Sequence, residues 1–203
     1  MFIKATCCIF RCVDIRRMKT GGTYEGIFCN GFVLFQNTWE KIRHKGAFEA
    51  AYVQRLGPGV AFLTQRGAHI LLGYNTCVSR NGTVFVGKSG SLTLGSRVYF
   101  NVNAYISCQN RVTIGDGCIF GPNVTVIDNN HTFSKEKGVC TSVHSCGEIY
   151  IGENSWIGAN AVILKDTKIG KNCVIGAGCV VRGVIPDGSI VTQDRTLRVR
   201  EIQ

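Results

Sequence analysis

IYIGENSWIGANAVILKDTKIGKNCVIGAGCVVRGVIP, Ile149 to Pro186, repeats itself every six residues. Counted from Ile151, the first slot holds Ile151, Ile157, Ile163, Ile169, Ile175 and Val181. The next slot holds Gly152, Gly158, Leu164, Gly170, Gly176 and Arg182. The fifth slot is mostly small: Ser155, Ala161, Thr167, Cys173, Cys179 and Ile185. A helix cannot use this spacing, because a period of six drifts around a 3.6-residue screw and scatters the aliphatics over every face. One long strand fails as well, since the glycines would interrupt it. Very short strands that each turn a corner do fit. One large aliphatic then points inward per flat face, a small residue fills the space beside it, and glycine permits the backbone of the bend. Three such faces close a triangular coil, and stacked coils form an all-β solenoid, a parallel β-helix cored by isoleucine.

Upstream the same rhythm is expanded. An aliphatic-x-aliphatic-Gly signature recurs as ILLG (70–73), VFVG (84–87), LTLG (92–95), VTIG (112–115) and IYIG (149–152), each read as a strand entering a corner. Leu94, Phe100 and Ile106 keep the six-residue phase; a two-residue expansion near Gln109–Asn110 precedes Ile114, Phe120 and Val126. That expansion is expected to bulge from a corner. The rhythm then stops until Ile149. The intervening IDNNHTFSKEKGVCTSVHSCGE is polar and must leave the coil as a loop, spanning 128–148. Domain limits follow: an irregular cap over 1–60, the β-helix over 61–186, and a tail over 187–203.

Composition bounds the rest. Twenty-five glycines against 3 prolines suit many tight corners. The N-terminal MFIKATCCIFRCVDIRRMK has no apolar run of signal-peptide length, because Lys4 and Arg11 interrupt it, so a cytoplasmic location is expected. Phe2, Ile3, Ile9, Phe10 and Val13 against Arg11, Arg16, Arg17 and Lys19 make residues 1–20 a capping segment, helical or irregular. Contact with an anionic membrane surface is the alternative. Between Gly21 and Gly59 only FVLF (32–35) reads as a strand. The 11 cysteines include no CxxC pair, and Cys118, Cys173 and Cys179 fall in the small slot, so reduced core thiols are expected and no metal. The net charge of +10 favours anionic partners, yet no basic run is interleaved with aromatics, which argues against nucleic acid.

IGENSWIGANAVILKDTKIGKNCVIGAGCVV resembles the hexapeptide-repeat acyltransferases, and most of all their galactoside, maltose and polysaccharide O-acetyltransferases. The likeness runs from about Gly67 to Arg200, roughly two thirds of the chain. It implies a left-handed coil, an exception to the usual crossover hand, and a homotrimer with clefts between subunits. It also implies an acetyl-CoA-dependent O-acetyltransferase acting on a saccharide, in surface polysaccharide or glycoconjugate synthesis. PNVTVIDNNH (122–131) puts His131 where that family has its catalytic base. Asp128 could orient the imidazole. Asn101 in FNVNAYI and Trp156 in SWIG match acceptor-side residues. Ala159 and Ala177 match small positions along the CoA groove, and Arg182, Arg198 and Arg200 match its basic closure. His144 matches no motif and reads as a loop residue.

The sequence also departs from that family. QDRTLRVREI replaces the usual G-x-P-A tail, and Gln109 stands where the galactoside enzymes have an aspartate, so a different acceptor is expected. Alternatives on the same scaffold are an amino-sugar N-acetyltransferase, an antibiotic acetyltransferase and a non-catalytic assembly module. A zinc hydratase needs three clustered histidines, and His44 and His69 fall outside the readable repeat.

Overall fold

Three flat parallel sheets wrap one aliphatic core in the computed structural model, which describes Lys19–Thr20, Gly22–Thr23, Glu25–Cys29, Phe48–Ala50 and residues 54–194. The first face stacks Val60–Thr64, Thr83–Val86, Tyr105–Cys108 and Thr125–Ile127. The second stacks Phe48–Ala50, His69–Leu72, Ser91–Leu94, Arg111–Ile114 and Glu148–Ile151. Val162–Ile169 and Val180–Ile185 continue both, each giving its first half to the first face and its second half to the second. The third face stacks Gln54–Leu56, Thr76–Val78, Tyr99–Phe100, Ile119–Phe120, Trp156–Ile157, Val174–Ile175 and Ile190–Val191. Every strand in these stacks pairs with the one a full coil away, which makes a triangular β-solenoid. The described residues contain no helix.

The hexad slots behave as their chemistry requires. Ile151, Ile157, Ile163, Ile169, Ile175 and Val181 are all buried, and each contributes on the order of 1.5–3 kcal/mol of burial. Ser155, Ala161, Thr167, Cys173 and Cys179 fill the small slot and are buried too. Cys118 does the same one coil earlier. On the third face Phe100 stacks on Phe120 with ring centroids 4.2 Å apart, so aromatic and aliphatic residues share one ladder. Cys77, Cys108, Cys118, Cys173 and Cys179 are free and buried.

Two corners are fixed and one is variable. Between the third and first faces, Gly59, Asn81, Asn103, Asn123, Asn160 and Gly178 all take the left-handed backbone that the bend demands. The asparagines also bond along the stack: Asn103 Nδ2 donates to Asn123 Oδ1 at 3.0 Å, and Asn123 Nδ2 to Asn160 Oδ1 at 3.1 Å. The second-to-third corner uses Asn75, Arg97, Gly117, Asn154, Asn172 and Gly188 in the same conformation. All the length variation falls between the first and second faces. Leu72 pairs with Leu94 twenty-two residues on, Leu94 with Ile114 after twenty, Ile114 with Ile151 after thirty-seven, and Ile151 with Ile169 after eighteen. Gln109 and Asn110 lie at that corner, as the sequence predicts.

Parallel pairing begins earlier than the expected boundary at residue 61 and ends later than 186, because Phe48–Ala50, Gln54–Leu56 and Ile190–Val191 all join the stack. At the first coil Glu25–Cys29 pairs antiparallel with Val60–Thr64. The FVLF segment lies outside the described residues, as does all of 1–20 except the two-residue strand Lys19–Thr20.

Candidate active site

Asn129–Ser134 and Gly138–Cys146 form an antiparallel hairpin that leaves the coil between Thr125–Ile127 on the first face and Glu148–Ile151 on the second. The expected loop is thus a two-stranded arm, mostly exposed. Its mouth is tightly held. The Gly147 N–H donates to the Asp128 carbonyl at 2.7 Å, and Asn110 Nδ2 donates to the Gly147 carbonyl at 3.1 Å. Lys165, whose side chain is 14% exposed, donates from Nζ to Ser145 Oγ at 2.7 Å and ties the arm to the following coil. Asn129 Nδ2 donates to Ser107 Oγ at 3.0 Å and ties it to the preceding one.

His131 lies on this arm, directly opposite His144. The ring centroids are 4.6 Å apart and the planes are tilted by 42°. His144 is therefore no isolated loop residue. Motif matching missed it because the pairing depends on hairpin register, and the register slips just beyond it: Thr132 pairs with Cys140, leaving Thr141, Ser142 and Val143 as an unpaired bulge.

Asp128 does not orient His131. Its side chain is 0% exposed, and the carboxylate accepts the backbone N–H groups of Gln109 at 2.7 Å and Asn110 at 2.8 Å. A third bond comes from Asn129 Nδ2 at 3.0 Å. The physical reason is the expanded corner, whose two orphaned amides need an acceptor that the shorter coils do not require. Nor is Asp128 reachable by an acceptor in this chain. Beside it, burial first and the Asp128 charge second push the Cys108 thiol up to about 12.

Two further thiols sit on the arm. Hydrogen bonds, first from the Ser142 hydroxyl and then from the Ser142 and Val143 backbone, pull Cys140 below the ordinary thiol value. Cys146 is raised, mainly by desolvation and then by Asp128, with Lys165 opposing.

The remaining candidates are distributed around the prism. Ala159 and Ala177 occupy equivalent places on successive coils at the third-to-first corner, where a Cβ on Gly158 would meet the Ala177 nitrogen at 2.6 Å. They leave that corner low and open. Asn101 belongs to the same corner two coils before Ala159, and its Oδ1 accepts the Val102 N–H at 2.8 Å, turning the bend. Arg182 is at the opposite end of the first face, where Nη2 meets Asp166 Oδ2 at 3.0 Å. Trp156, 55% exposed, projects from the third face beside Ile119 and Val174 of neighbouring coils. The arm springs from the far corner, so one chain does not bring Trp156 to His131. Arg198 and Arg200 lie outside the described residues. No group of three or more His, Cys, Asp or Glu able to hold a metal occurs among the described residues, and these, having no helix, include none long and apolar enough to cross a membrane.

Residues 148–183 match the family described as bacterial transferase hexapeptide (six repeats). Among curated proteins no match is found. The solved structures include the hexapeptide-repeat-containing acetyltransferase VCA0836 of Vibrio cholerae O1 biovar eltor, complexed with acetyl coenzyme A. It shows 25% identity over 59% of this chain and a TM-score of 0.53. The chain spans 63% of that protein's length. A second structure of VCA0836 gives 27% identity over 63% of this chain and 72% of its own, again at 0.53. A mutant of AntD, an N-acyltransferase from Bacillus cereus in complex with dTDP and coenzyme A, has 17% identity and a TM-score of 0.58, covering 85% of this chain and 92% of its own. That likeness concerns the fold.

Proposed function

We propose that this hexapeptide-repeat chain is an acetyl-CoA-dependent acetyltransferase that acts on a saccharide hydroxyl, with His131 as the general base. One observation carries the reading. Among the described residues the one large excursion from the coil is a hairpin, and it presents an imidazole on a base bonded to the coils on either side. VCA0836, an acetyltransferase complexed with acetyl coenzyme A, supports the choice of donor.

In the reaction His131 accepts the proton of the acceptor hydroxyl while that oxygen attacks the thioester carbonyl. The tetrahedral oxyanion collapses, the C–S bond breaks, and the thiolate leaves with the proton returned from the imidazolium. A saccharide acetyl ester and CoA result. No covalent enzyme intermediate is needed, since thiolate is a good leaving group. The low corner at Ala159 and Ala177 suits close passage of the pantetheine arm, and Arg182, Arg198 and Arg200 supply charge for the CoA phosphates. Arg182 can leave Asp166 readily, because an exposed pair of this kind is worth at most about 1 kcal/mol.

A homotrimer completes the proposal. The outward row Ile119, Trp156 and Ile190 is exposed and apolar, and a second copy packed there would bring Trp156 towards the neighbouring copy's arm. Trp156 and Asn101 would then contact the acceptor. A soluble enzyme of surface polysaccharide or glycoconjugate synthesis fits this chemistry.

Thiol release from acetyl-CoA, measured with a panel of saccharides and amino sugars, tests the reading. Turnover with a hydroxyl acceptor that falls by about a hundredfold or more in His131→Ala, with CoA binding retained, is expected. Turnover confined to amino sugars would replace the hydroxyl by an amine. Absence of CoA binding would overturn the enzyme reading.

A further inference from the structure

We propose that His144 is the positioning residue for the catalytic imidazole of His131, a role that rests on the reading of His131 as the base. A base must present its nitrogen within about 2.6–3.2 Å of the hydroxyl it deprotonates. Most side chains on the arm are exposed, so packing alone does little to hold a ring in one rotamer there. The carboxylate best placed in sequence, Asp128, is buried and spends its oxygens on the corner amides of Gln109 and Asn110 and on Asn129. Among the described residues, the ring contact recorded for His131 is with His144, at 4.6 Å between centroids.

The hairpin geometry makes that contact a dependable one. His131 and His144 are direct cross-strand partners and so share one face of the arm. Asn129 and Cys146, the next pair on that face, stand at the mouth, where Asn129 is bonded to Ser107. Ser145 turns the other way, to Lys165. The slip in register begins only after His131, so the histidine pair lies in the anchored part of the arm, while the bulge and the tip lie beyond. A ring 4.6 Å away and tilted by 42° limits the orientations that the His131 ring can take.

Two variants separate a positioning role from a merely structural one. His144→Ala removes the stacked ring, whereas His144→Phe keeps a ring and removes its nitrogens. With carbon-13-labelled histidine, the His131 ring resonances should carry the ring-current shift of a stacked neighbour in the wild type and in His144→Phe, and lose it in His144→Ala. In the thiol-release assay kcat should fall about 10- to 100-fold in His144→Ala, with KM for acetyl-CoA within about twofold, and recover to within a few-fold in His144→Phe. Unmoved His131 resonances in His144→Ala overturn the proposal, and so does a kcat that falls equally in both variants. If His131→Ala itself retains full activity, the reading of His131 as base fails. The resonances still decide whether His144 holds that ring.

Discussion

Gly147 donates its N–H to the carbonyl of Asp128 at 2.7 Å, so the chain re-enters the coil beside the point where it left. The thirty-seven-residue step from Ile114 to Ile151 therefore spans no more of the prism than the eighteen-residue step from Ile151 to Ile169. The hairpin is topologically a side branch, held to the coil through its base.

Excision of the arm should leave the solenoid standing. Replacing residues 129–146 by two glycines retains both ladder partners of the coil, Thr125–Ile127 and Glu148–Ile151. The far-UV circular dichroism of the β-solenoid and its cooperative melting should persist, while acetyl transfer is abolished. Loss of cooperative unfolding would mean that the arm is part of the folding core.

Removal of the buried clasp should act in the opposite sense, on stability first. Asp128→Ala leaves the amides of Gln109 and Asn110 without their acceptor, costing about 3 kcal/mol at typical values for hydrogen bonds to a charged group. Asp128→Asn keeps one acceptor oxygen and should cost less. Urea midpoints of the two variants against wild type measure both effects, and an unchanged midpoint in Asp128→Ala would refute the clasp.

The arm thiols should differ in reactivity. Cys140, lowered by the Ser142 hydroxyl and nearby backbone N–H groups, holds more thiolate at a given pH than Cys146, which is raised by desolvation and by Asp128. Iodoacetamide near neutral pH should label Cys140 first, by peptide mass spectrometry. Ser142→Ala should slow that labelling. Cys108, buried and raised to about 12, should stay unlabelled until the protein unfolds.

Much of the coil was legible because its periodicity is chemical. Ile151 through Val181 and the small slot beside them are fixed by volume, and volume shows in residue type. The asparagine ladder was equally open to view, since Asn81, Asn103, Asn123 and Asn160 recur with the coil, but it has meaning only once the left-handed corner is recognised. His131 was visible through a motif. Its partner was not, because the pairing of His131 with His144 depends on a slipped register among twelve intervening residues. Asp128 was read as a side chain facing His131, whereas the demand of two corner amides turns it inward. Such a demand arises from tertiary closure and leaves no local pattern.

The reversed strand Glu25–Cys29 has a consequence at the scale of assemblies. Parallel coils are templates, and an uncovered parallel edge invites another chain to continue the stack into a fibre. At the first face this chain lays a strand of opposite direction along Val60–Thr64. A newcomer arriving there meets a reversed strand in place of the parallel edge of the coil. On that face, the parallel template itself is occupied by the chain's own backbone.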